Sequence, residues 1–208
     1  MKPFAGFKSE ASGSSKKTPS LPNGAYVAKI KAVKVDGIEP DQWLIIRVDV
    51  IEGEYTDYFM NRYKKESQNS KYETKYRGDF RLRIPNDDNT NAMYPESDLR
   101  NFNDAMYRIE SSNPGYTWDW NEHGLVGKIV GINMQDDEWN EHVFTKIGRL
   151  EIADDVRKGI VNPMEPTKRY KAWLEAQKGT APAGMTKVDE ELPWDDGKPK
   201  AATDNPWF

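Results

Sequence analysis

No cysteine occurs in the 208-residue chain. That excludes a disulfide framework, a thiolate metal site and a cysteine nucleophile. Histidine is scarce as well: only His123 and His142 are present, and neither an HxH nor an HExxH spacing exists. A zinc hydrolase is therefore not expected. No apolar run approaches the length of a bilayer span, and the first residues lack the apolar core of a signal peptide. A soluble, cytoplasmic chain with no membrane partner and no cofactor is the expectation. An overall positive charge is missing too. The formal net charge is −4, which weighs mildly against duplex DNA, whose binders are often basic.

The average conceals strong segregation of charge. Residues 58–83 hold Arg62, Lys64, Lys65, Lys71, Lys75, Arg77, Arg81 and Arg83. Eight cations against three acids (Glu66, Glu73, Asp79) give this stretch a local charge of +5. Threaded among them are Tyr58, Phe59, Tyr63, Tyr72, Tyr76 and Phe80. Cations meet phosphates, and flat rings stack on unpaired bases. Together they are what sequence-tolerant single-strand binding requires. The blander alternative is a solvated basic loop whose tyrosines only pack.

Along the chain, residues 1–20 read as a flexible basic arm. A first strand, residues 25–35, changes apolar phase after Tyr26, Ala28, Ile30 and Ala32, which marks a bulge. The second, residues 42–51, turns Leu44, Ile46, Val48 and Val50 inward and Trp43, Ile45, Arg47 and Asp49 outward. Trp43 and Arg47 make a candidate stacking platform. Roughly residues 61–75 are expected to be a long flexible excursion. The strand pattern returns at Tyr76, with Phe80, Leu82 and Ile84 inward. Arg81 and Arg83 point outward, beside Trp43 and Arg47 if the two strands pair antiparallel.

A helix over residues 98–110 follows, capped by Ser97, with Leu99, Phe102, Met106 and Ile109 on its apolar stripe. Tyr116, Trp118 and Trp120 read as a hydrophobic plug. Residues 125–134 and 143–153 supply two more strands, with a turn at residues 136–138 and a second phase change across Gly148. Residues 161–177 form a short helical extension, and residues 178–208 a disordered acidic tail. The neighbouring acids Asp87 and Asp88, or Asp136, Asp137 and Glu138, could be imagined holding Mg²⁺ in a nuclease. Adjacent acids on a turn point apart into solvent, and no lysine or histidine stands at a telling spacing, so no enzyme is expected.

Three strands, one helix and two further strands, with bulges in the first and last, follow the order of a five-stranded oligonucleotide-binding (OB-fold) barrel. The expected fold is thus mainly β: residues 21–160 as the barrel, one helix between strands 3 and 4, and disordered termini. In such a barrel the second and third strands and their connecting loop form the usual binding surface. The basic-aromatic stretch falls there.

Three segments carry a family likeness: LPNGAYVAKIKAV, VDVIEGEY and TKIGRLEIADDVRKG. With them the chain resembles bacteriophage-type single-stranded-DNA-binding proteins over residues 21–158. Its last residues, Asp204-Asn205-Pro206-Trp207-Phe208, are similar to the acidic, Pro-aromatic end by which single-strand-binding proteins of bacteria and many phages recruit replication and repair enzymes. Residues 190–194, EELPW, look like an internal echo. The chain departs from that pattern in having only Asp204 close to its terminus.

The resemblance implies binding of single-stranded DNA in phage replication or recombination, without marked sequence specificity, in the host cytoplasm. Trp43, Arg47, Tyr58, Arg62, Tyr63, Lys64, Lys65, Lys71, Tyr72, Lys75, Tyr76, Arg77, Phe80, Arg81 and Arg83 are the expected DNA contacts. Asp204, Pro206, Trp207 and Phe208 would meet replication or recombination proteins, and a homo-oligomer is compatible with the pattern. The alternative is a protein–protein recruitment module of a replication complex.

Overall fold

Two long strands organise the molecule because each is laddered on both sides. β1 (Gly24–Asp36) pairs antiparallel with β2 (Trp43–Val50) and with β4 (Ile129–Trp139). β2 in turn pairs with β3 (Asp79–Arg83), and β4 with β5 (His142–Glu151). One five-stranded sheet results, in the order β3-β2-β1-β4-β5. Among the described residues four α-helices accompany it: α1 (Tyr58–Asn69), α2 (Pro95–Ser112), α3 (Ala153–Arg157) and α4 (Lys168–Gly179). The computed structural model describes residues 20–69, 73–85 and 95–179. The arm and the tail expected from the sequence fall almost wholly outside the described residues.

Both phase changes are bulges. Ile30 faces Val48 and Ala32 faces Arg47, so Lys31 is the extra residue in β1. The shift falls one step earlier than the apolar pattern suggested, and Ala32 is exposed rather than inward. In β5, Arg149 faces Asn133 and Ile147 faces Met134, leaving Gly148 unopposed as expected. Bulges bend a strand and deepen its twist. Here the edge strands β3 and β5 approach each other, although no ladder joins them among the described residues.

Inside the curl lie Ile30, Leu44, Ile46, Val48, Val50, Ile132, Met134 and Leu150. α2 closes over this face with Phe102, Ala105, Met106 and Ile109. Leu99, expected on the same stripe, is exposed at its margin. Trp118 packs half-buried against Phe102, whereas Trp120 stacks on Phe102 at 5.6 Å yet stays 66% exposed. The plug is therefore partial.

Residues 136–138, expected as a turn, lie within β4. The true turn is Asn140-Glu141, both at positive φ (50° and 64°). An acidic run survives in a strand because its central member is satisfied: Asp137 is buried and accepts from Lys146, Thr167 and Arg169, each at 2.7 Å. Burial alone would raise its carboxyl pKa, but these donors and the Glu138 N–H hold it well below the usual carboxylate range. Asp136 accepts from Asn23 Nδ2 at 3.0 Å.

After α3 the chain runs as a strap over the outer side of β4. Asn133 Nδ2 donates to the Asn162 carbonyl at 3.0 Å, Asn23 Nδ2 to that of Met164 at 3.0 Å, and Gln135 Nε2 to that of Glu165 at 2.8 Å. Met164 Sδ passes so close to Gly148 that an added Cβ would sit 2.6 Å from it. The helical extension is α4, with Tyr170 and Trp173 stacked at 5.8 Å. No described helix is long and apolar enough to cross a membrane.

Candidate functional site

With β4 covered, the open part of the sheet's outer side belongs to β1, β2 and β3. Residues directly opposite on neighbouring strands share a face. Trp43 opposes Arg83, Ile45 opposes Arg81, and Arg47 opposes Asp79. On the other flank Asp36 opposes Trp43, Lys34 opposes Ile45, and Ala32 opposes Arg47. The expectation that Arg81 and Arg83 lie beside Trp43 and Arg47 therefore holds. Ile45 is buried on this side, contrary to its expected exposure, with Lys34 and Arg81 in register on either hand. Long basic stems commonly cover an apolar neighbour while keeping the charge in water.

Trp43 is 38% exposed, with the Arg83 guanidinium 5.5 Å from its ring centre. Arg83 also pairs with Asp41 and lies 3.6 Å from Asp98. Arg47 makes a two-pronged bond to Asp79, at 2.8 and 3.0 Å, and stands 4.6 Å over the Tyr76 ring. Arg81 is exposed and has no ion-pair partner among the described residues.

The connection between β2 and β3, expected as a flexible excursion, contains α1. Its start is set by a residue on the neighbouring strand. Asp49 is fully buried, and its carboxylate accepts from Phe59 N and Val50 N at 3.0 Å and Met60 N at 3.1 Å. The first N–H groups of a helix have no partner inside it, and negative charge is favoured there. This is why Asp49, expected outward, is buried: α1 lands on it. Burial, the largest influence, nevertheless pushes the Asp49 carboxyl above its ordinary range, against the pull of those three donors.

α1 is fastened at its base by Phe59, which packs against Gly78. A Cβ on Gly78 would lie 2.6 Å from the Val48 carbonyl and 2.8 Å from the Phe59 ring. Tyr76 is buried beside it and donates to the Val48 carbonyl at 3.0 Å. Burial drives the Tyr76 phenol pKa well above ordinary, so it stays a neutral donor. Tyr76 is thus a prop and not the open stacking ring expected from sequence.

The other expected contacts divide into three groups. Tyr63 is exposed on α1, its ring 5.9 Å from that of Tyr76, and with Trp43 it offers an accessible face. Lys64, Lys75, Arg77 and Arg81 are exposed with no ion-pair partner among the described residues, and Lys65 is exposed. By contrast, Arg62 is half-buried, bonded to Glu66 at 2.7 Å and to the Tyr58 hydroxyl at 3.2 Å. Tyr58 itself is half-buried and meets Tyr55 and Phe59 edge-on. Phe80 points inward, half-buried against the core. Lys71 and Tyr72, and in the tail Asp204, Pro206, Trp207 and Phe208, lie outside the described residues.

Sequence reasoning passed over Lys29, Lys31 and Lys34, which are exposed along β1. Their spacing was the available signal, since a two-residue period broken by one bulge keeps all three out of the core. What results is an outer face on β2 and β3 carrying Trp43, the unpaired Arg81 and two guanidiniums, Arg47 and Arg83, already held by carboxylates, with Tyr63 approaching its Arg47 end through Tyr76. No protein-family model matches the chain, and no curated protein shows significant similarity to it.

Proposed function

We propose that this chain is a single-stranded-DNA-binding protein acting in phage replication or recombination. It holds unpaired strands along the outer wall of β1, β2, β3 and α1 with little sequence preference. The observation that carries this reading is the register of Trp43 with Arg83 and of Ile45 with Arg81, on the part of the sheet the strap leaves uncovered. It aligns a stacking ring with one unpaired guanidinium, Arg81, and one held by carboxylates, Arg83, on one surface. The strand order, two bulges and near approach of β3 to β5 support an OB-type barrel as the scaffold.

Each role follows from accessibility. Trp43 and Tyr63 stack bases, each contributing about 1–3 kcal/mol. Lys64, Lys75, Arg77 and Arg81 neutralise phosphates. At about −0.7 per single-strand phosphate, four contacts give a log–log salt slope of about −3. Affinity then falls about sixtyfold between roughly 50 and 200 mM salt. Asp204, Pro206, Trp207 and Phe208 dock replication or recombination proteins, the two rings and the acid supplying the contacts.

The test is an anisotropy titration of a labelled dT oligomer and of a duplex of equal length at those two salt concentrations, with the parent chain and the double variant Trp43→Ala/Tyr63→Ala. The expected result is preference for the single strand, the stated salt loss, and at least tenfold weaker binding by the variant. Equal affinity for duplex, or unaltered binding by the variant, would overturn the reading.

A further inference from the structure

The gap between the two edge strands is a cleft of about 350 Å³, at the lower end of the range for small-molecule sites. Its apolar floor includes Phe80, Leu82, Ala105 and Leu150. One bank carries Arg81 and Arg83 of β3, with Trp43 at the side continuous with the open wall. The other carries Arg149 of β5 and Met164 of the strap. Arg81 is unpartnered among the described residues; Arg149 pairs with Glu151, which also meets Arg108, itself bonded to Asp104, and Asp98 and Asp104 line the cleft on the α2 side. Glu151 takes only Nε and one terminal nitrogen of Arg149, which leaves that guanidinium N–H groups to spare.

We propose that this cleft is a nucleotide pocket that takes one base swung out of the bound strand, with its phosphate between Arg81 and Arg149. The inference rests on the single-strand reading above and adds a specific subsite to it. A nucleobase fits the chemistry on both counts. Its faces are apolar and match the floor and the soft thioether of Met164. Its edge bears donors and acceptors, which suit strand edges that are not laddered to each other. The volume admits one nucleotide and not a run of them, so the strand continues along Trp43 onto the wall.

The experiment uses the full chain and dT oligomers carrying one 5-iododeoxyuridine, photocrosslinked and mapped by mass spectrometry. It is run beside Asn101→Trp, which plugs the cleft from an exposed α2 position that makes no side-chain hydrogen bond among the described residues. Asn101→Ala serves as the folding control. Adducts on Phe80 or Met164 are expected, lost in Asn101→Trp together with about fivefold or more of the dT affinity. Adducts confined to Trp43 or Tyr63, with affinity unchanged in Asn101→Trp, overturn the pocket and leave strand binding standing. No adduct and no retention of any oligomer overturns both.

Discussion

Asp49→Ala is the most informative single perturbation of the scaffold. It removes a fully buried carboxylate that serves Val50, Phe59 and Met60 at once. Each buried N–H left without an acceptor costs about 1–3 kcal/mol. The two helix donors recover part of this by fraying toward solvent, and the buried charge itself is no longer carried. The net expectation is a loss of about 2–4 kcal/mol. For a domain of this size that lowers Tm by about 4–16 °C. Hydrogen exchange locates the damage: amides of Phe59 and Met60 should exchange much faster, while those of Ile132 and Met134 in β4 follow only global stability. Asp49→Asn separates charge from hydrogen bonding, because its amide keeps one acceptor oxygen and removes the buried charge. Its loss should be the smaller. Protection at Phe59 and Met60 unchanged in Asp49→Ala, or Asn destabilising more than Ala, would refute the account of how α1 is anchored.

Gly78→Ala should destabilise by about 1–3 kcal/mol, as overpacking does, because the new methyl meets the Val48 carbonyl and the Phe59 ring. Denaturant melts would show it, and relief by Phe59→Leu would tie the loss to that contact. Acid should release the strap. Asp137 is held below its unfolded pKa, so its contribution is complete above about pH 4 and fades as pH falls through the lower folded value. Melting followed from about pH 5 to pH 2 should decline less steeply in Asp137→Asn than in the parent chain; equal slopes would remove Asp137 as the cause.

Much of the sheet was legible because it follows from local rules. Alternation marks the strands, and a break in alternation marks Gly148 as a bulge residue. The outward row of Trp43, Arg81 and Arg83 was readable for the same reason. α1 was not. Its sequence, YFMNRYKKESQN, mixes rings, charges and amides in about equal parts, and its cap is supplied by Asp49, nine residues before its first turn and on another element. Local reading misses a cap that lies across space. The Arg62–Glu66 spacing was the helical hint available. Residues 136–138 misled in the same way, since acids in a row signal a turn unless a distant strap supplies their partners. Tyr76 was misjudged because interleaving with cations says nothing about which rings prop a loop and which face solvent.

The carboxylates planted among the basic groups have a consequence of their own. Arg47 is clasped by Asp79, and Arg83 by Asp41 with Asp98 beside it. If the wall grips DNA as proposed, phosphates go first to the unpaired Arg81, and one reaching Arg47 or Arg83 has to displace a carboxylate that reclaims its guanidinium when the strand leaves. On the proposed reading, such a surface would hold a transient strand and surrender it without having to be stripped clean.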